Sequence, residues 1–272
     1  MTILVTGARG KTGREVVARL AGADVRQGSS QPGAETPFDW ADPDTWPGAV
    51  DNADAIYLMR PDVPDAPELV AGLVSEAPDA HVVLLSEQGA GTLPERHWAR
   101  RVEDAVTTRA GSWTLLRPSW FHQVLTDPRF YGDAIRTDRV LSLSSGGGSI
   151  AWVDARDIAA VAVAALRAPA EHHGRAYTLT GPAALSVDAV AAELSARLGH
   201  EMRADDPPPQ DGPDPWTTDI FADLAERVRT GGFAEVTRAV AEVTGTPPTS
   251  MAEFIATHFA PTGPAREPSP RR

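Results

Sequence analysis

At 272 residues, 42% of them hydrophobic and 6% aromatic, the chain has the bulk for one large core with a small appendage. A formal net charge of −12 opposes a nucleic-acid surface, and no apolar run approaches the roughly 20 residues that span a bilayer. With no cysteine, disulfides, thiolate catalysis and cysteine-bound metal are excluded. A β-like run opens the chain in place of a secretory leader, so the expectation is a cytoplasmic protein with no membrane partner, no nucleic-acid partner and no metal site.

The first element is an apolar run over 2–6. It breaks into Gly7-Ala8-Arg9-Gly10-Lys11-Thr12-Gly13, a G-x-x-G-x-x-G spacing, and an amphipathic helix pattern follows over 11–21. Strand, glycine turn and helix start in this order leave backbone N–H groups facing outward with a helix dipole behind them. Gly7 permits the turn, Gly10 lets the backbone approach a pyrophosphate, and Gly13 lets the helix lie against the strand. The context predicts dinucleotide binding by Gly7, Arg9, Gly10, Lys11, Thr12 and Gly13.

Further strands are predicted over 23–26, 36–39, 54–58, 81–86, 113–117 and 176–179. Helices are predicted near 42–49, 65–77, 96–110, 155–168 and 186–198. This alternation implies an α/β fold, a Rossmann-like doubly wound parallel sheet. Residues 142–149 read as a loop before a short strand over 150–153. Composition changes at Asp205, where residues 205–215 are rich in proline and poor in apolar side chains. Helical patterns resume over 216–230, 232–244 and 249–258, and the tail 261–272 is rich in Pro and Arg. The expected organisation is a binding domain over 1–204, a small, mostly helical lid and substrate region over 205–260, and a disordered tail.

Four more stretches carry a family resemblance: Phe38-Asp39-Trp40 with Asp42-Pro43, Arg117-Pro118-Ser119-Trp120-Phe121, Trp152-Val153-Asp154 with Arg156-Asp157, and Tyr177 to Pro182. With the glycine turn, the chain resembles the NmrA-like atypical short-chain dehydrogenases/reductases from residue 1 to about 258. The resemblance implies that Asp39 and Trp40 contact an adenine, although a helix cap and core packing are the other readings. It also implies that Leu58 and Arg60 line the ribose and nicotinamide approach, and that Pro118 and the residues after it, Ser119, Trp120 and Phe121, stand beside the nicotinamide. Asp154, Arg156 and Asp157 read as a cap and ion pair.

The second strand offers Arg26, Ser29 and Ser30 where an NAD-specific fold places an acid. Guanidinium and hydroxyls suit a 2′-phosphate, so the expected cofactor is NADP(H). The family pattern breaks at catalysis. Lys11 is the only lysine, so the Tyr-x-x-x-Lys pair of ordinary short-chain reductases cannot exist; spacing puts Glu95 and Ala99 near its two positions. Ser86, at a strand end, is a candidate to hydrogen-bond a substrate carbonyl, or else a cap. His97 and His122 are candidate proton relays. Trp98, Trp120, Phe121, His122 and Trp216 are candidates for an aromatic substrate slot, with Trp216 on a flap after the proline-rich break.

The expected function is reduction of a hydrophobic aromatic small molecule by NADPH, of ketoreductase or quinone type, with aromatic-polyketide tailoring in secondary metabolism as the specific version. The proton would come from the substrate's own phenol or from elsewhere than a tyrosine. The alternative is a non-catalytic NADP-binding redox sensor. The oligomeric state is expected to be monomer or homodimer.

Overall fold

A computed structural model describes residues 1–260. The elements in order are β1 Thr2–Val5, α1 Gly13–Arg19, β2 Asp24–Ser29, β3 Thr36–Pro37, α2 Trp46–Val50, β4 Ala55–Met59, α3 Ala66–Glu76, β5 His81–Leu85, α4 Trp98–Arg109 and β6 Ser112–Pro118. There follow α5 Gly132–Thr137, β7 Val140–Ser142, β8 Ser149–Ile150, α6 Ala155–Arg167, α7 Pro169–His172, β9 Arg175–Leu179, β10 Leu185–Ser186 and α8 Val187–Leu198. The chain closes with β11 Arg203–Asp205, α9 Pro215–Arg229, α10 Ala239–Thr244 and α11 Met251–His258.

Seven strands form one parallel sheet in the order β3-β2-β1-β4-β5-β6-β9. The central strands β4 and β5 read Ala-Ile-Tyr-Leu-Met and His-Val-Val-Leu-Leu, apolar on both faces, as a sheet covered on both sides requires. One face packs Ile3, Val5, Tyr57, Val83 and Leu116 against α1 and α6. The other packs Leu4, Ile56, Leu58, Val82 and Leu84 against α2, α3 and α4. Alternation along each strand divides the two sets, so both helical layers are anchored by the same strands, β1, β4, β5 and β6.

A third core gathers Leu125, Ile135, Leu141, Trp152, Val190, Leu194, Phe233 and Phe254. It draws on residues both before and after the expected boundary at 204/205, because β11 pairs in parallel with β7 from Arg203↔Val140 to Asp205↔Ser142. The proline-rich segment therefore marks a surface connection into α9, while the core beneath it begins near residue 125. The helix expected over 232–244 is confined to α10; Gly231, at φ +82°, turns the chain so that Phe233 drops into the third core. The expected tail over 261–272 lies outside the described residues. Among the described residues, no helix is long and apolar enough to cross a membrane, and no cluster of His, Asp or Glu has metal-binding geometry.

Candidate functional site

Ligands of an open parallel sheet sit beyond the carboxyl ends of its strands, where the strand order reverses. Here that point lies between β1 and β4.

The glycine turn closes there. Thr6 Oγ donates to Tyr57 O at 3.1 Å and accepts from Met59 N at 2.8 Å, fastening the end of β1 to β4. Gly7 has φ +62°, and a Cβ on it would overlap Met59 Cε; a Cβ on Gly13 would overlap Gly7 O. Gly10 N donates to Gly7 O at 2.8 Å and completes the turn. Thr12, 1% exposed, turns inward and accepts from Tyr57 Oη at 2.8 Å, so no side chain caps α1. Lys11 is committed to an ion pair with Asp127 and lies 4.5 Å from the centre of the Phe130 ring.

The second strand corrects one expectation. β2 runs to Ser29, so Arg26 stands mid-strand, paired with Leu4, and its guanidinium donates to Asp51 O, beyond the end of α2. Residues 51–54 lead into the start of β4, so Arg26 serves the amino edge of the sheet, away from the crevice. Arg9 takes its place: its Nη2 donates to Ser29 Oγ at 2.8 Å, with Ser30 next in the chain.

Asp39 Oδ1 accepts from Ala41 N at 2.9 Å, and Asp39 O accepts from Trp46 Nε1 at 2.8 Å. Trp40 packs edge-on between Phe38 and Trp46, at 5.1 and 5.8 Å. Both stand past β3, with the backbone turn fixed and Trp40 half-buried.

The ends of β4, β5 and β6 converge. Leu58 is fully buried against the α2–α3 layer, so its side chain cannot line a ligand; Met59 and Arg60 hold that edge. Arg60 pairs with Asp62 and Glu87, each at 2.8 Å, and stacks 4.4 Å over the Trp98 ring. Ser86 Oγ donates to Glu103 Oε1 at 2.6 Å; Glu103 is 2% exposed and is gripped by Arg117 Nε and Nη2 at 2.8 and 2.6 Å. The Ser86 proton is thus spent on a carboxylate, and only its lone pairs remain to meet a ligand. That corrects the expectation that Ser86 donates to a carbonyl.

Three buried side-chain atoms on adjacent strand ends have no partner in the protein: Arg60 Nε after β4, Gln88 Oε1 after β5 and Ser119 Oγ after β6. Gln88 N donates to Pro118 O at 2.8 Å, which joins the last two ends. Buried polar atoms left unpaired cost about 1–3 kcal/mol each, so a cluster of them marks where a ligand completes the structure. Ser119 stands in the stretch that the family resemblance puts beside the nicotinamide, whereas Gln88 was not among the candidates, because a lone Gln after a strand gives no sequence signal.

Helix α9 crosses above these ends. Arg227 donates to Glu87 Oε1 at 2.5 Å and to Gln88 O, and packs over Phe233 at 4.6 Å. Trp216 meets Trp98 edge-on at 5.5 Å, and Trp98 Nε1 donates to Val63 O at 2.8 Å. His97 caps α4 by accepting from Ala99 N at 3.2 Å, and its Nε2 lies 3.4 Å from Asp223 of α9. With Nδ1 acting as acceptor, Nε2 carries the proton toward Asp223, so His97 couples lid to sheet instead of shuttling protons. Burial opposes the charge of Glu87, but Arg60 and Arg227 on either side hold its carboxyl below the usual range.

Trp120 packs on Trp152 and Phe233 at 6.0 and 6.1 Å, and Phe121 bridges to Val153 while packing on the first core. His122 departs from expectation. It is 1% exposed, lies 5.1 Å from Phe254 ring to ring, and faces the third core. Its backbone N–H is bound to Val153 O at 2.9 Å, which turns the ring behind the strand end. The structure therefore assembles the glycine turn, Arg9, Ser29, Arg60, Ser86, Trp98, Trp216 and the β6 end around one edge, and leaves Arg26, Leu58 and His122 elsewhere.

No family model matches the chain. An NAD(P)H azoreductase of Xenophilus azovorans is 32% identical over 289 residues, covering 97% of this chain and 100% of the relative. A (4-alkanoyl-5-oxo-2,5-dihydrofuran-3-yl)methyl phosphate reductase of Streptomyces griseus is 34% identical over 293 residues, covering 95% and 99%. Among solved structures, NmrA, a negative transcriptional regulator in complex with NAD, has the same fold, with a TM-score of 0.72 at 15% identity over 95% of each chain.

Proposed function

Because the chain belongs to the NmrA-like group of atypical short-chain dehydrogenases/reductases, we propose that it is an NADPH-dependent reductase of a hydrophobic aromatic small molecule, acting on a carbonyl, quinone or related acceptor in secondary metabolism. The observation that carries this reading is the row of unpaired polar atoms on Arg60, Gln88 and Ser119 beneath an aromatic lid. Two reductases among the relatives, both matched over nearly their whole length, support it.

The residues fit a dinucleotide. The cradle formed by Gly7 and Gly13 has no room for a Cβ, as a pyrophosphate turn requires. Arg9, Ser29 and Ser30 would hold a 2′-phosphate, Asp39 and Trp40 would border the adenine, and Gln88 with Ser119 would meet the nicotinamide end. The bound cofactor supplies the hydride. The chain's residues orient the acceptor and exclude water. Trp98 and Trp216 offer an aromatic wall, Arg60 stiffens Trp98 from behind, and the Arg227–Glu87 contact holds the lid down.

The proton is the unusual step. Burial pushes the phenols of Tyr57, Tyr131 and Tyr177 above the ordinary value, so none is primed to donate. Lys11 is engaged with Asp127 and Ser86 with Glu103. The proton comes from an acidic group of the substrate beside the reacting centre, or from solvent.

NADPH oxidation followed spectrophotometrically against quinones, azo compounds and aryl ketones tests the reading. Turnover of at least one class is expected, and a hydroxylated acceptor should react far faster than its O-methylated analogue at similar affinity. Cofactor binding without oxidation by any acceptor would overturn it.

A further inference from the structure

The described residues contain seven buried side-chain atoms without a hydrogen-bond partner, and the strand ends account for three. The other four are His122 Nδ1, His122 Nε2, Trp152 Nε1 and Glu193 Oε2. All three residues line one cavity of about 80 Å³ in the third core. The cavity lies between the end of β6, the strand pair β8–β10, helix α8 and the start of α11. His122 and Trp152 are each 1% exposed, while Pro182, Ala183 and Ala252 at the rim are open to solvent. The cavity is thus a slot with apolar walls, a polar floor and a mouth.

The floor is not left unpaired for want of neighbours. Asp154 stands closest to His122, at 3.9 Å from Nδ1, beyond hydrogen-bond reach. Its carboxylate is already filled by Gln123 Nε2 and by the backbone N, Nε and Nη2 of Arg156, at 2.8–3.0 Å. Ser250, on the rim, spends its hydroxyl on Glu253 at 2.7 Å. No protein group remains to serve the floor.

The donor and acceptor inventory selects the occupant. Trp152 Nε1–H only donates, an ionised Glu193 only accepts, and a neutral imidazole does one of each. An anion would face Glu193 and Asp154. A cation would face the Trp152 N–H, and a fully apolar group would strand all four atoms. A neutral group that carries a carbonyl and an NH₂ together offers an acceptor to the Trp152 N–H and donors to Glu193 and to the unprotonated imidazole nitrogen. The volume of about 80 Å³ is several times the roughly 10–15 Å³ that a single water needs, so it leaves room for a group of a few heavy atoms. We propose that this slot is a binding site for a small molecule bearing a primary carboxamide, its carbonyl taking the Trp152 indole N–H and its NH₂ donating to Glu193 and the His122 ring. The site is separate from the reductase reading. It nevertheless backs onto the same strand end, because His122 follows Phe121, and His122 N donates to Val153 O while Trp120 O accepts from Val153 N.

The test is an NMR titration of the full chain, following the indole N–H signals with acetamide as probe and acetate and methylammonium as arms of similar size and opposite charge. The Trp152 signal, assigned through Trp152→Phe, should move saturably with acetamide at a millimolar midpoint and stay still with the two ions. Glu193→Leu, at a half-buried position of α8, should weaken the response at least tenfold with NADPH affinity unchanged. An unmoved Trp152 signal, an equal response to all three probes, or full acetamide binding by Glu193→Leu would overturn the proposal. So would a crystal soaked in acetamide whose slot holds only water.

Discussion

Arg9 and Arg26 look alike as sequence candidates and differ in the fold. The run after Arg26 keeps pairing with β1 through Gln27, so the strand's carboxyl end lies at Ser29 and the critical place belongs to Ser29 and the turn residue Arg9. Chain spacing alone could not show this, because a strand's end is set by its partner's register. Arg9→Ala is expected to cut the preference for NADPH over NADH about tenfold, or about 1.4 kcal/mol, in paired calorimetric titrations. Arg26→Ala should leave it unchanged, and a reversed outcome would return the phosphate to the second strand. At the same scale, Tyr57→Phe, Tyr131→Phe and Tyr177→Phe should each keep turnover within about tenfold, short of the roughly 10²–10⁴-fold that a general acid supplies. A loss of that larger size in one variant with cofactor binding intact would identify a tyrosine acid. His122 misled for a related reason: adjacency to Phe121 in sequence says nothing about which side of the strand end a ring takes.

Long elements were legible because their periodicity is long. The sheet strands and the helices α3, α4, α6 and α8 fall where alternation and 3.6-residue patterns place them, although β2 runs on to Ser29 and β3 keeps only Thr36–Pro37. The short pieces β7, β10 and β11, of two or three residues each, hold too few positions to show a period, and the strand expected over 150–153 is only β8, Ser149–Ile150, so the third core they help build was hidden. Helix α9 was visible as a helix, but its role was not. Only Val228 of its 15 residues is buried, so contacts of Arg227, Asp223 and Trp216 hold it where apolar burial does not. The Glu87 carboxyl titrates below its ordinary value, so its contribution to closure is complete above about pH 4.3 and is lost as pH falls through the lowered value. Fluorescence of the Trp98–Trp216 pair should therefore change on acidification below about pH 4. Glu87→Gln should show the open-lid signal already at neutral pH. An acid transition unaltered in that variant would assign the latch to other groups.

Across the whole molecule, composition made the class legible and one count shapes what can be done with the protein. Basic charge is carried almost wholly by arginine, which does not react with amine-directed reagents; apart from the terminal amine, Lys11 is the chain's single primary amine. That amine stands in the glycine turn, paired with Asp127 and shielded by Phe130. Acylating reagents, biotin esters or amine-reactive dyes would thus mark one internal position, and its rate of modification would clock how often the 127–130 segment lifts from the turn. Asp127→Asn should speed labelling severalfold, as read by intact mass over time. A dye placed there would sit at the mouth of the crevice, so the protein carries its own attachment point for reporting occupancy without any introduced cysteine.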